Sequence, residues 1–295
     1  MMAEATDSFI ALFLNSAFNT EGGLLSFVAL FFLFLSRFFP ILVQSPFFGA
    51  RVMPQPAKVA LGIGLFIIFL PQLLLVTHKI DFNLKLVFLI FKELFVGTII
   101  GFLISLPFVI VQSAGIIIDH QRGGASLMVN DPTIQNQSSP LGTLFNYVMI
   151  WIFFMIDGPF LFMEAILTSY EVIPADQIIN SKFFERSSVF WANEIALLNK
   201  IMVISIRLAS PALIMIMMTD FFLGIANRLA PQVQITFLGM PLKSLLALLI
   251  VCVGWKMLNE EMAKQGYVWI NEVINMLRTI KGSVSGFNEV GAIVS

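Results

Sequence analysis

Charge is what this sequence has least of. Lys, Arg, Asp and Glu together make up 12% of 295 residues, about half of the roughly 25% found in a soluble domain. Net charge is −1, so no basic surface speaks for nucleic acid. Cys252 is the single cysteine, which excludes an intrachain disulfide and leaves the redox compartment open. The histidines, His78 and His120, lie far apart with no ligand-like spacing to Asp or Glu, so neither a metal nor another cofactor is expected. There is no phosphate-binding loop, no His-Glu-x-x-His and no nucleophile elbow. Gly62-Ile63-Gly64 lacks a third glycine. Asp157 and Glu164, seven apart, are the nearest approach to an acid–base pair, and nothing else supports such chemistry. The expectation is a protein that is not an enzyme. Residues 1–23 hold Glu4, Asp7 and Glu21 but no Lys or Arg. The positive start of a secretory signal is therefore missing and no cleavage is expected. Phe9, Ile10, Leu12, Phe13 and Leu14 suit a short interfacial helix.

What the sequence has in abundance is apolar surface. Hydrophobic residues make up 58% and the mean hydropathy is +0.91. Apolar runs of spanning length occupy 24–43, 59–77, 195–219 and 237–258, near the 20 residues or so that a membrane helix needs. The run 141–170 is interrupted by Asp157-Gly158-Pro159. The run 86–118 is too long. As a straight helix it would reach about 50 Å, against a hydrocarbon core of roughly 30 Å. It is therefore kinked at Pro107, folded as a hairpin, or not wholly in lipid. No strand-like alternation and no internal repeat is present. The fold class is all-α: a polytopic membrane-associated helical protein of kinked hairpins and broken helices. Residues 1–258 form one membrane-associated domain, and 259–295 form an amphipathic, then flexible, tail. No Lys or Arg precedes Arg37, whereas Lys256, Lys264, Arg278 and Lys281 lie late in the chain. The positive-inside rule then favours the C-terminus in the cytoplasm and the N-terminus outside, without fixing the orientation. That arrangement requires an odd number of crossings, while counting 86–118 once gives an even number.

The stretch Gln112–Gly142, between two apolar runs, organises the chain. Asp119, His120, Arg122 and Asp131 give it charge. Gly123-Gly124 frees the backbone, and Asp131-Pro132 and Ser139-Pro140 signal turns. Leu127, Met128 and Val129 are unusual in a solvated linker. A folded-back connector with these residues packed on a neighbour and a flexible plug in a conduit both fit.

Several ionisable groups sit inside apolar runs: Arg37, Lys92, Glu93, Asp157, Lys200, Arg207, Asp220 and Lys243. Each costs about 2.5–3.5 kcal/mol at the centre of a lipid-exposed helix. Lys200 and Arg207, seven apart, share a helix face. Such faces meet protein or water. Three explanations remain open: pairing or snorkelling within the bundle, contact with other chains of a larger assembly, or an ion or substrate pathway. Gly97 and Gly101 form a small-xxx-small pair that admits another helix closely.

Taken together these residues resemble a known family. Lys92-Glu93-Leu94-Phe95-Val96-Gly97, followed by Gly101, is similar to its KE-L-x-G-xxx-G signature. Ile118-Asp119-His120-Gln121-Arg122-Gly123 and Ser139-Pro140-Leu141-Gly142 resemble its most distinctive loop. Asp220-Phe221-Phe222-Leu223-Gly224, Asn227-Arg228-Leu229-Ala230-Pro231-Gln232 and Gly239-Met240-Pro241-Leu242-Lys243 follow in the family's order. The resemblance is to the FliR/SctT (YscT-like) family of the type III secretion export apparatus, over roughly 24–258, and more to its virulence branch than to its flagellar one. It implies a multi-pass protein of the bacterial inner membrane. The expected partners are R and S (FliP- and FliQ-like) subunits in a helical export gate, the U (FlhB-like) switch protein, membrane lipid and unfolded substrates in transit, with no nucleic acid. It implies a plug or gate loop carried by Asp119, Gln121, Arg122, Gly123, Gly124, Leu127, Met128 and Val129. It implies a subunit interface carried by Lys92, Glu93, Gly97, Gly101, Lys200, Arg207, Asp220, Arg228, Pro231, Gln232 and Lys243. Where some relatives carry an aromatic in the plug, this chain has Leu127 and Met128. The alternative is a secondary transporter or channel for a small solute or ion, with Lys200, Arg207 and Asp220 as gating charges.

Overall fold

The computed structural model describes residues 23–48, 54–77, 84–123, 129–130, 137–176, 189–229, 235–269 and 271–273. The expected interfacial helix near Phe9 lies outside them. The helices are α1 (Gly23–Gln44), α2 (Gln55–Val76), α3 (Leu84–Gln121), α4 (Pro140–Met155), α5 (Gly158–Val172), α6 (Val189–Leu229) and α7 (Ile235–Val253). A further helix, α8 (Trp255–Val273), follows a bend at Gly254. The two-residue strands β1 (Val129–Asn130) and β2 (Gln137–Ser138) pair antiparallel, Val129 opposite Ser138 and Asn130 opposite Gln137. Among the described residues four helices can cross a membrane by length and composition, and up to six spans result if each bent pair is counted as one. The chain is a polytopic helical membrane protein.

Of the alternatives for the long third run, the hairpin is excluded: α3 is a single helix of 38 residues with Pro107 inside it. A proline removes one helical hydrogen bond, whereas ending the helix in an apolar setting would orphan many more backbone groups. The central loop is also shorter than Gln112–Gly142. Residues 112–121 complete α3, and α4 begins at Pro140. At the other end of the chain, α8 runs helically through Asn259, the expected start of the tail.

The chain forms two compact units. In the first, comprising 1–105, 159–192 and 270–295, α1 is the hub. Leu33, Phe34, Arg37, Phe38, Ile41 and Leu42 have no exposed surface. Phe34 packs against Phe66 and Phe69 of α2 and stacks on Tyr170 of α5. Gly62 of α2 faces Leu35 and Phe38. Against α3 the approach is closer. A Cβ on Gly97 would overlap the Arg37 carbonyl oxygen, and one on Gly101 would lie 2.9 Å from the Ile41 Cα.

In the second unit, comprising 106–158 and 193–269, the C-terminal half of α3 is central. Phe108 meets Phe153 of α4 edge to face at 5.5 Å. Ser205 of α6 donates to the Ile110 carbonyl oxygen at 3.1 Å. Gly115 meets Gly142 of α4 so closely that a Cβ on Gly115 would sit 2.6 Å from the Gly142 Cα. Gly266 of α8 sits against Met149 of α4, and Gly239 of α7 against Leu223 of α6. At Asp157, after α4, the backbone turns with φ of 57°. Asp157 lies in the turn between α4 and α5, so the helical register expected between it and Glu164 does not apply.

Candidate functional site

The root of the central loop is where the polar residues of the second unit converge. Helix α3 stops at Gln121 because Gly123 takes φ of 88°, a left-handed conformation that closes many helices. Arg122 still donates its amide to the Ile118 carbonyl oxygen, and Gly123 donates to that of His120. On the return strand, Ser139 caps α4. Its backbone is extended, its hydroxyl accepts from the Gly142 amide at 2.9 Å, and Pro140 occupies the first turn. Hydroxyl cap and early proline are the ordinary start signals of a helix.

One carboxylate ties these two ends together. Asp119 is fully buried. Its Oδ1 accepts from Arg122 Nε at 2.7 Å and pairs with Arg122 Nη2 at 2.7 Å. Its Oδ2 accepts from the Ser139 hydroxyl and from the Leu141 amide, the latter at 2.9 Å. Asp119 thus neutralises Arg122 and also receives an orphan amide of the α4 N-terminus, where a negative charge is favoured. Arg122 Nη1 reaches Ser244 of α7 at 3.0 Å. The loop leaves and re-enters the fold at one buried, hydrogen-bonded point.

Among the residues expected in the plug, Asp119 and Arg122 are buried in this brace and Gln121 is exposed. Gly123 is the helix stop, and the backbone of Val129 pairs in the short ladder. Gly124, Leu127 and Met128 lie outside the described residues. Sequence reasoning missed Gly115 and Ser244. It took Ser139-Pro140 as a turn, although Ser-Pro before an apolar run is also a helix-start signal.

The residues expected at a subunit interface divide into distinct groups. Lys92, Glu93, Gly97 and Gly101 meet their own chain. Glu93 Oε1 accepts from Arg37 Nη2 at 2.9 Å, and Oε2 accepts from Arg37 Nε. Arg37 also donates to Ser169 Oγ at 3.1 Å and to the Ile173 carbonyl oxygen at 2.7 Å, and lies 3.9 Å from the Tyr170 ring centre. Lys92 pairs with Glu93 at 2.6 Å and donates to the Pro174 and Ala175 carbonyl oxygens. Two cations thus share one carboxylate, and together they cover the carbonyl end of α5, where positive charge is favoured. Pairing within the bundle accounts for these charges. Gly97 and Gly101 seat α3 on α1. Asp220 and Lys243 pair with each other across α6 and α7. Lys200 stands 5.6 Å above the Trp269 ring. Arg207 and Arg228 are exposed. Pro231 and Gln232 lie outside the described residues.

A family model described as bacterial export proteins, family 1, matches residues 28–266. The chain belongs to this family. The matched span of this export protein includes both the Arg37–Glu93 pair and the loop root. Over 170 residues it is 35% identical to Yop proteins translocation protein T of Yersinia pestis, covering 57% of this chain and 63% of that relative. It is 33% identical over 164 residues to surface presentation of antigens protein SpaR of Shigella flexneri, covering 56% of this chain and 61% of the relative. It is 29% identical over 232 residues to flagellar biosynthetic protein FliR of Bacillus subtilis, covering 76% of this chain and 85% of the relative. The export protein thus groups with FliR/SctT-type proteins. It matches less than two thirds of the length of the Yersinia and Shigella relatives.

Proposed function

We propose that this protein is a structural, non-enzymatic component of a type III protein export gate in the bacterial inner membrane. In this reading it assembles with R and S subunits, contacts the U switch protein and forms part of a conduit for unfolded substrates. The central loop closes that conduit at rest. Family membership supports a place in the export machinery. The observation that carries the plug reading is the loop root, where Asp119 holds both loop ends through Arg122, Ser139 and Leu141. A plug needs a fixed base and a displaceable remainder, and Gly123, in a left-handed conformation with no atom near its missing side chain, begins that remainder. Exposed Arg207 and Arg228, and the apolar surface of α6 formed by Met202, Ile206, Met217 and Phe221, support contact with other subunits and lipid.

A pore wide enough for an unfolded chain must retain ions, since the membrane potential is worth about 2.3 kcal/mol per charge per 100 mV. In this reading the apolar residues of the loop, Leu127, Met128 and Val129, are the ones that exclude water from the closed conduit. The test is small-solute permeability of cells carrying the assembled complex, alongside secretion of a native substrate. Leu127→Asp with Met128→Asp is expected to leak while the complex forms, and Gly124→Pro to reduce secretion without leak. If the double aspartate variant assembles, secretes and stays tight, the loop is a connector.

A further inference from the structure

The polar contacts at the loop root continue outward through α7. Ser244 Oγ accepts from Arg122 Nη1 at 3.0 Å. Its chain neighbour Lys243 makes the ion pair with Asp220 of α6. Consecutive helical residues point about 100° apart, so α7 presents one to each side. The Arg122 and Asp119 side chains are 8% and 0% exposed, whereas those of Lys243 and Asp220 are 24% and 49% exposed. The contacts therefore run in series from an accessible pair to a buried one. Both α7 residues follow Pro241, inside the helix. Proline withholds an amide hydrogen that the helix interior would use, so α7 has a weakened point just before Lys243 and Ser244.

We propose that Lys243 and Ser244 make α7 a latch on the loop root, and that the Asp220–Lys243 pair is its release point. Asp220 is the more accessible partner. A basic side chain of a neighbouring protein can therefore take it from Lys243. The part of α7 beyond Pro241, which carries both residues, then turns about that proline, Ser244 leaves Arg122, and the Asp119 brace is left without its tie to α7. This rests on the plug reading for its purpose, since it regulates that loop, but not for its geometry.

The test reads the loop root directly. In a Cys252→Ser background, Ser138→Cys is placed beside the α4 cap, and its maleimide labelling rate is measured in membranes carrying the assembled complex. Ser244→Ala is expected to speed labelling about fivefold, the factor given by loss of an ordinary hydrogen bond. Asp220→Asn is expected to do the same, and the two together to add little, because contacts in series fail once. Ser244→Thr and the exchange Asp220→Lys with Lys243→Asp should return the parent rate, which separates the latch from a general folding defect. The proposal is overturned if Asp220→Asn leaves the rate unchanged, if the effects of Ser244→Ala and Asp220→Asn multiply, or if the exchange fails to restore the parent rate in an assembled complex. Labelling that behaves as expected while the Leu127→Asp, Met128→Asp variant stays tight removes the plug reading and leaves the latch standing. A leaky double variant with invariant labelling does the reverse.

Discussion

Arg37 and Glu93 form a two-pronged pair between α1 and α3, and neither side chain has any exposed surface. Breaking a buried pair by removing one partner costs about 3–5 kcal/mol. The two sides are unequal here because Lys92 shares the carboxylate. Arg37→Met leaves Glu93 with Lys92. Glu93→Gln leaves the buried Arg37 without its carboxylate and takes from Lys92 the one it shares. Both variants should lose stability in detergent, Glu93→Gln the more. Denaturation midpoints of the purified chain report the order, and a larger loss for Arg37→Met would mean that Lys92 offers no compensation.

Gly97 separates an intrachain seam from an intersubunit one. Its missing side chain faces the Arg37 backbone, whereas a Cβ on Gly64 would have no atom within 4 Å. Gly97→Ala should destabilise the isolated protein by about 1–3 kcal/mol, the usual cost of overpacking. Gly64→Ala should be neutral or mildly stabilising, since alanine is the better helix former. Normal melting of isolated Gly97→Ala combined with loss of the assembled complex would place the seam between subunits instead.

The start and stop signals at the loop root differ in kind. At Gly123 the space is open, so Gly123→Ala should cost only the left-handed backbone penalty of about 1–2 kcal/mol, and Gly123→Asn less. Ser139→Ala removes a helix cap, worth about 0.5–2 kcal/mol, and also a donor to the buried Asp119 carboxylate. It should exceed Gly123→Ala. Hydrogen exchange at the first amides of α4 distinguishes them, because only the serine variant should expose the Gly142 amide, which bonds to the Ser139 hydroxyl.

Lys58 offers the opposite case. It is 1% exposed and its ammonium has no hydrogen-bond partner among the described residues. Burying an unpaired charge is costly, so Lys58→Met, of similar length and apolar, should raise the melting temperature of the isolated protein. A drop would show that the ammonium contributes a favourable interaction in that state.

The apolar runs and their interruptions were legible because proline, glycine and charge mark them. Asp157-Gly158 separates α4 from α5, and Gly123 ends α3. The start of the loop was misplaced because Gln112, Ser113 and Asp119 lower the hydropathy of the last turns of α3, although Gly115 and Asp119 face α4 there. That Arg37, Lys92 and Glu93 need protein around them followed from lipid cost alone. Which protein was not legible. Lipid cost forbids an unpaired Arg37, but a carboxylate on the same chain and one on another satisfy it equally. A small-xxx-small pair is likewise silent about whose helix fills it. Partner identity is a property of tertiary packing that no window of sequence contains.

The Arg37–Glu93 pair has a consequence for biosynthesis. The partners are 56 residues apart, so the ribosome delivers the cation of the first apolar helix well before the anion that neutralises it. Until α3 emerges, α1 carries an unmatched charge worth about 2.5–3.5 kcal/mol against entry into lipid. Stable release of the first hairpin into the bilayer therefore has to await the third helix, and a chain truncated before Glu93 should be retained by the insertion machinery or degraded.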